Sequence, residues 1–471
     1  MPGSGTVGAD VEEQLMSDLT AEVTELLQGL IRNRCVNDGS PDSGGESRNA
    51  DLLAAYLDGA GLEFRRFEPR PGRASLVVRL EGTDPAAPTL LLMGHTDVVP
   101  ANPADWSRDP FGGELVDGEV WGRGAVDMLS LTASMAVATR HAATEGPRLR
   151  GTLLFLGVAD EESGGTWGAR WLLDNVPDAV RADYVVTEAG GFRLPLPSAS
   201  PGPILPVMVG EKGIQWLRLV VRGRAGHGSM PFRTDNAAVK AAEVVRRIAD
   251  HAPRAVLHDI WRSFVTQADL PAELVGPLLD PDAIDRFLQT SPDLGLARTL
   301  HALTHTTISP TAIHSGSKTN IIPDQAQIDL DIRTLPGQTP DDIVGLVRDA
   351  LGDLASEVEM ETLIADQASA SPADSPLFAA LERGITALVP GARALPFMIM
   401  GGTDARFFRR HGAVAYGAGL FSDRVPAGEF MRMFHGPDER IDQESLRLSA
   451  ELWRSLASDL LDGPASGGGP R

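Results

Sequence analysis

Acidic and imidazole side chains recur in this chain where apolar runs end. His95 and Asp97 follow TLLLMG, Glu161 and Glu162 follow LLFLGVAD, and Glu188 follows DYVVT. Asp127 sits in the loop GRGAVDM, just ahead of a helical pattern. If the apolar runs are parallel strands, all these groups reach one edge of one sheet, where open α/β sheets hold their ligands. Carboxylates crowded into a partly desolvated cleft repel, and some would have to take up protons. Divalent cations remove that conflict, and hard oxygen donors with imidazole suit zinc, cobalt or manganese. Two such ions about 3.5–4 Å apart can share one carboxylate and one hydroxide, which attacks a polarised carbonyl. Water on zinc has a pKa of about 7, so hydroxide is available at neutral pH. Of the adjacent Glu161 and Glu162, one is then free to bind metal and the other to move a proton. Asp97, two residues after His95, is placed to hold the imidazole in its ligating orientation.

The elements that must position these groups are legible too. ASLVVRL, TLLLMGH, GTLLFLGVAD and ADYVVTEA carry continuous apolar runs, the pattern of strands buried on both faces. Helical stretches such as MLSLTASMAVATRHAAT and TWGARWLLDNV separate several of them. This order predicts an α/β fold, a mainly parallel mixed sheet with helices on both faces. The Pro-rich segment 194–206 is expected to link two domains. After it, Ile328, Leu330 and Ile332 alternate with Asp329, Asp331 and Arg333, marking a half-exposed strand. Thr339 with Pro340 and two acids behind it starts a helix. A smaller α+β domain of two layers is therefore expected inside the larger one. The expected division is 1–210 for the first part of the catalytic domain, 211–366 for the insertion and 367–471 for the second part.

The chain has 471 residues, which favours two domains, and a formal charge of −22 from 42 Lys+Arg against 64 Asp+Glu. That acidity argues against nucleic acid and anionic membranes as partners. Cys35 is the single cysteine, so no intramolecular disulfide can form. No basic-then-apolar leader and no apolar run of about 20 residues is present. A cytoplasmic protein is the expectation. The first ten residues and the tail from 462 hold too little apolar material to order themselves.

GHTDVVP, GRGAVDM, ADEESGG, AGHGSMP, KTNIIPD and HGPDER, in that order along the chain, resemble the aminoacylase, acetylornithine deacetylase and carboxypeptidase G family of di-zinc metallopeptidases. The long stretch 258–295 favours the branch resembling carboxypeptidase S and aminoacylase. The resemblance implies a catalytic domain interrupted by a lid domain, and two zinc ions. His95, Asp127 and Glu188 would ligate one ion, and Asp127, Glu162 and His435 the other. Glu161 would be the general base. His227 would stabilise the oxyanion, in dimeric relatives across a subunit interface, so a homodimer through the lid is implied. Asn320 and Arg333 would hold the substrate's carboxylate. The substrate would be a small peptide or an N-acyl amino acid, cleaved beside a free carboxylate. Family members carry a cis peptide after the shared aspartate, expected here between Asp127 and Met128. Leu129 stands where the family usually has lysine.

Other readings stay open at this stage. Arg333 shares its face with two aspartates, so a surface ion pair competes with substrate binding. Asn320 is equally a turn residue. Thr403 or Asp404 either contacts substrate or caps the following helix. A biosynthetic deacylase of the acetylornithine or succinyl-diaminopimelate type is the runner-up, and a non-catalytic binding protein on the same fold the third reading.

Overall fold

The computed structural model describes residues 6–462. The strands that frame the site are β1 (Glu63–Phe67), β2 (Ser75–Leu80), β3 (Thr89–His95), β4 (Thr152–Val158), β5 (Tyr184–Thr187) and β6 (Ile204–Glu211). Those that follow are β7 (Gly213–Arg222), β8 (Thr307–Ser315), β9 (Gln325–Thr334), β10 (Val358–Asp366) and β11 (Val414–Gly417). The backbone divides into two compact units. Among the described residues, one comprises 6–209, Ser371–Pro396 and 403–462; the other comprises Gly210–Ala370 and Phe397–Gly402.

The larger unit is built on a nine-stranded sheet whose order begins β1-β2-β4-β3-β5-β11-β6. Neighbours within β4-β3-β5-β11 run parallel, while β1, β2 and β6 pair antiparallel at the flanks. All seven residues of β4 are buried, as expected for a strand covered on both faces. On one face Leu91, Met93, Leu154 and Leu156 pack with Leu172, Leu173, Phe407 and Phe408 of short helices. The other face is covered by the helices Leu129–Thr144 and Gln443–Asp462, which Trp453 ties together by donating to Ser134 Oγ at 2.9 Å. Each fully buried leucine contributes about 1.5–3 kcal/mol relative to exposure, so this double layer is what makes the strand ends rigid.

Two expectations need correction. The Pro-rich stretch 194–206 lies within the larger unit, and its last residues open β6 instead of bridging domains. Pro206, the one proline inside β6, brings no N–H, and its carbonyl accepts from the Gly191 N–H at 2.8 Å. The polar start is helical from Thr6, continuing into Thr6–Arg32, where Val23, Leu27 and Leu30 are wholly buried. Only residues 1–5 of that start, and 463–471 of the tail, lie outside the described residues.

The smaller unit holds a four-stranded antiparallel sheet in the order β8-β9-β7-β10. Burial along β9 alternates residue by residue, so Ala326, Ile328, Leu330 and Ile332 face inward. They pack on the helices Ala237–Asp250 and Pro340–Leu351. Thr339 and Asp342 form a reciprocal capping box at the start of the latter. The stretch after His258 folds into short helices, Asp259–Gln267, Ala272–Leu278, Ile284–Thr290 and Leu294–Thr304.

Candidate metal centre

Parallel register brings the acids together. His95 pairs with Val158 across β3 and β4, and Leu92 pairs with Val186 across β3 and β5. The residues that follow each strand, Asp97, Asp160–Glu162 and Glu188, therefore emerge at the same sheet edge. Asp160, Ala189 and His435 adopt left-handed backbone conformations at φ 72°, 69° and 58°, uncommon for residues with a Cβ and concentrated at functional sites. The Asp127–Met128 peptide is cis.

Asp127 stands at the centre. Its Oδ1 lies 3.2 Å from His95 Nε2, and its Oδ2 lies 3.2 Å from His435 Nε2. His95 Nε2 is also 3.6 Å from Glu188 Oε2, and His435 Nε2 is 3.4 Å from Glu162 Oε2. Two groups result, His95–Asp127–Glu188 and Asp127–Glu162–His435, each with its donor atoms within 4.8 Å of one another. One carboxylate thus offers one oxygen to each group.

The electrostatics identify what the donors are shaped for. Burial pulls the His95 imidazole down, but hydrogen bonds with Asp127 and Glu188 raise it well above its usual range. His435, bonded to Asp127 and Glu162, is pushed up to about 10. Burial raises Glu188 to about 8, helped by the Asp127 charge. Glu161 is lifted well above the ordinary carboxylate range by burial and then by Glu188. Burial also lifts Asp127, yet hydrogen bonds from His435 and His95 overcome it and hold that carboxyl low. The imidazoles are shifted toward the cationic form and Glu188 and Glu161 toward the neutral form, the direction expected where acidic groups outnumber cations. Divalent cations fit it: two nitrogens and three carboxylates are a zinc, cobalt or manganese set. Glu162 Oε1 is in addition buried without a hydrogen-bond partner.

Supporting groups refine the reading of Asp97. His95 Nδ1 meets the main-chain carbonyl of Asp97 at 2.9 Å, whereas the Asp97 carboxylate is 3.6 Å away. That carboxylate instead accepts from Asn37 Nδ2 at 2.8 Å and from the Glu162 N–H at 3.1 Å. Asp97 therefore spans the loops that carry His95 and Glu162. The residue expected to orient His95 is present, but the orienting group is backbone.

Glu439 escaped the sequence reading. Wholly buried, it accepts from the N–H groups of Gly124, Val126 and Asp127 at 3.0, 2.7 and 2.9 Å, and from Arg123 Nη1 at 2.7 Å. Arg123 Nη2 also donates to the His435 carbonyl at 3.1 Å. The one available signal was its place within HGPDER.

The remaining expected residues are more varied. Thr403 is buried, and its Oγ1 accepts from the Ala405 N–H at 3.3 Å, a helix-start role. Asp404 is also buried, with neither carboxylate oxygen hydrogen-bonded. In the smaller unit His227 is exposed, its Nδ1 paired with Ser229 Oγ at 2.8 Å. Asn320 is an exposed turn residue whose carbonyl accepts from the Gly228 N–H at 2.9 Å. Arg333 donates from Nε and Nη2 to the two Asp331 oxygens at 2.8 and 3.2 Å. The ion pair weighed against substrate binding is therefore formed.

Fold and donor set together define a metal-dependent hydrolase. The chain belongs to peptidase family M20/M25/M40, whose model matches residues 91–459. It is similar to the N-fatty-acyl-amino acid synthase/hydrolase PM20D1 of Xenopus tropicalis, 28% identical over 470 residues, covering 94% of this chain and 88% of that protein. It is 29% identical to the probable carboxypeptidase S-like 2 of Dictyostelium discoideum, covering 81% of this chain and 73% of that one. Its fold is similar to that of the M20 family metallo-carboxypeptidase Sso-CP2 from Sulfolobus solfataricus, with a TM-score of 0.69 at 17% identity, over 93% of this chain and 99% of that one. Family membership makes the chain a hydrolase of amide or peptide bonds that depends on metal. Among the described residues, no helix is long and apolar enough to cross a membrane.

Proposed function

We propose that the chain cleaves an amide or peptide bond beside a free carboxylate, as a carboxypeptidase, dipeptidase or N-acyl-amino-acid hydrolase. The observation that carries this reading is Asp127, whose two oxygens face two imidazoles at the same 3.2 Å. His95, Asp127 and Glu188 would hold one zinc ion, and Asp127, Glu162 and His435 a second; cobalt and manganese suit the same donors. Bound there, divalent cations supply Lewis acidity toward the scissile carbonyl and make water acidic near neutral pH. Glu161 belongs to neither ligand group and is the proposed general base. Its carboxylate accepts a proton from the attacking water and passes it to the leaving nitrogen as the C–N bond breaks. His227 is proposed to steady the oxyanion, Asn320 and Arg333 to hold the substrate carboxylate, and Thr403 to contact substrate. Names of the two relatives above, an N-fatty-acyl-amino acid synthase/hydrolase and a carboxypeptidase, favour substrates of this kind. A homodimer through the smaller unit belongs to the same proposal, supported by β8, an edge strand to which a second copy can add.

Replacing Glu161 with Gln tests the assignment. The Glu161→Gln protein is expected to retain its metal content while turnover of N-acyl amino acids and dipeptides falls about 10²–10⁴-fold. An unchanged rate removes the proposed base. Wild-type protein that neither carries nor responds to zinc or cobalt would sink the metal assignment as well.

A further inference from the structure

Behind the metal centre runs a buried polar chain. Arg73, just ahead of β2, has a side chain only 5% exposed and donates Nη1 to Glu46 Oε1 at 2.7 Å, with Glu46 fully buried. The same Nη1 lies 3.5 Å from Asp160 Oδ1. Its Nη2 donates to Asn37 Oδ1 at 3.0 Å. Asn37 in turn donates to Asp97 Oδ2 at 2.8 Å, and Asp97 carries the carbonyl that faces His95 Nδ1. On the other branch, Glu46 Oε1 accepts the Asp160 N–H at 3.2 Å, one residue before Glu161, and Asn37 Oδ1 accepts from Ser163 Oγ at 2.7 Å. Gly44, at φ 92°, closes over this pair, and a Cβ there would sit 2.3 Å from Arg73 Nη1.

We propose that Arg73 is a positioning residue of the metal centre, acting through Asn37 on Asp97 and His95 and through Glu46 and Asp160 on the Glu161–Glu162 turn. Glu46 and Asp160 meet this one guanidinium directly, and Asp97 is linked to it through Asn37. Its planar fork reaches Glu46 and Asn37 at the same time, which a lysine ammonium cannot reproduce. Arg73 touches no ligand atom, so its effect falls on where the donors are held. Groups that orient metal ligands typically change metal affinity 10–100-fold when removed. The inference rests on the proposed metal centre and has its own test.

Metal-stripped protein is titrated with Zn²⁺ against a chromophoric chelator, with thermal unfolding followed in parallel. Arg73→Met and Asn37→Ala are each expected to bind Zn²⁺ about 10–100-fold more weakly, and kcat to fall while KM holds within about 3-fold. Arg73→Lys should recover little of the affinity. Pairing Arg73→Met with Glu46→Gln removes the nearer of the two buried carboxylates left facing no cation, so the unfolding midpoint should recover in part while Zn²⁺ affinity stays low. Should Arg73→Met fail to fold, Asn37→Ala, which leaves the Arg73–Glu46 pair in place, decides alone. Wild-type affinity in Asn37→Ala, or its full return in the double variant, overturns the proposal. His95→Ala separates the two readings. If it weakens Zn²⁺ binding while Arg73→Met and Asn37→Ala do not, positioning fails alone. If it too is unchanged, the metal centre itself is wrong.

Discussion

Arg123 and Glu439 form a fully buried ion pair at 2.7 Å between side chains 316 positions apart in sequence. The pair joins the loop carrying Asp127 to the loop carrying His435. Burial pushes the Glu439 carboxyl up to about 7, and the Arg123 charge and the N–H groups of Asp127 and Val126 oppose that rise.

Breaking this pair should disturb both loops. Glu439→Ala leaves Arg123 buried and unpaired and three N–H groups without their acceptor, at a cost of about 3–5 kcal/mol in stability. Glu439→Gln keeps the shape and should lose less stability, yet still weaken zinc binding by about 10-fold. Denaturant titration and chelator competition measure the two effects. Stability within about 0.5 kcal/mol of wild type for the alanine variant would contradict this account.

Arg333 offers a second test, because Asp331 occupies the fork proposed to hold the substrate's carboxylate. Arg333→Met should raise KM for anionic substrates by roughly 10–100-fold, the worth of a charged hydrogen bond, with a smaller change in kcat. Asp331→Asn loosens the competing ion pair and should lower KM. If neither variant shifts KM, the surface ion pair is all that Arg333 provides.

Lys212 gives the smaller unit a pH signature. Its Nζ is buried and donates to the Ala302 and His305 carbonyls at 2.7 Å each, fastening the end of the helix Leu294–Thr304. Burial, and then the Arg333 charge, lower its pKa from 10.5 to about 7. Between those values the unfolded chain holds the proton and the folded one does not, so stability gained above 10.5 is lost as pH falls toward 7. Wild-type stability should therefore rise from pH 7.5 to 9.5 more steeply than that of Lys212→Met, by up to about 1.4 kcal/mol per pH unit. Parallel slopes in urea titrations would show that Lys212 keeps its proton when buried.

Much of the frame was readable in advance. TLLLMGH and GTLLFLGV became β3 and β4 because continuous apolar runs can be buried on both faces only in the interior of a covered sheet. AQIDLDIRT became the half-exposed β9, and Thr339 capped its helix. What was misjudged carried weaker physics: proline content at 194–206 reported missing donors, not a domain boundary, and the polarity of residues 6–10 was outweighed by the helix that continues from them.

The sequence by itself determined which side chains could ligate metal, because strand ends and short motifs are local and their chemistry is written in residue type. His95, Asp127, Glu162 and Glu188 stood out by their places after apolar runs or in a short loop, His435 only through the family resemblance, and the five lie in two groups that could hold metal. Only the tertiary structure decided that Asp127 turns one oxygen to each imidazole, and that the backbone of Asp97 steadies His95. It alone brought Asn37, Arg73, Arg123 and Glu439 behind the site, and closed Asp331 on Arg333. Contacts between distant segments leave no periodic trace in the chain, since they depend on how packed layers bring loops together, and a buried arginine looks in sequence like any other.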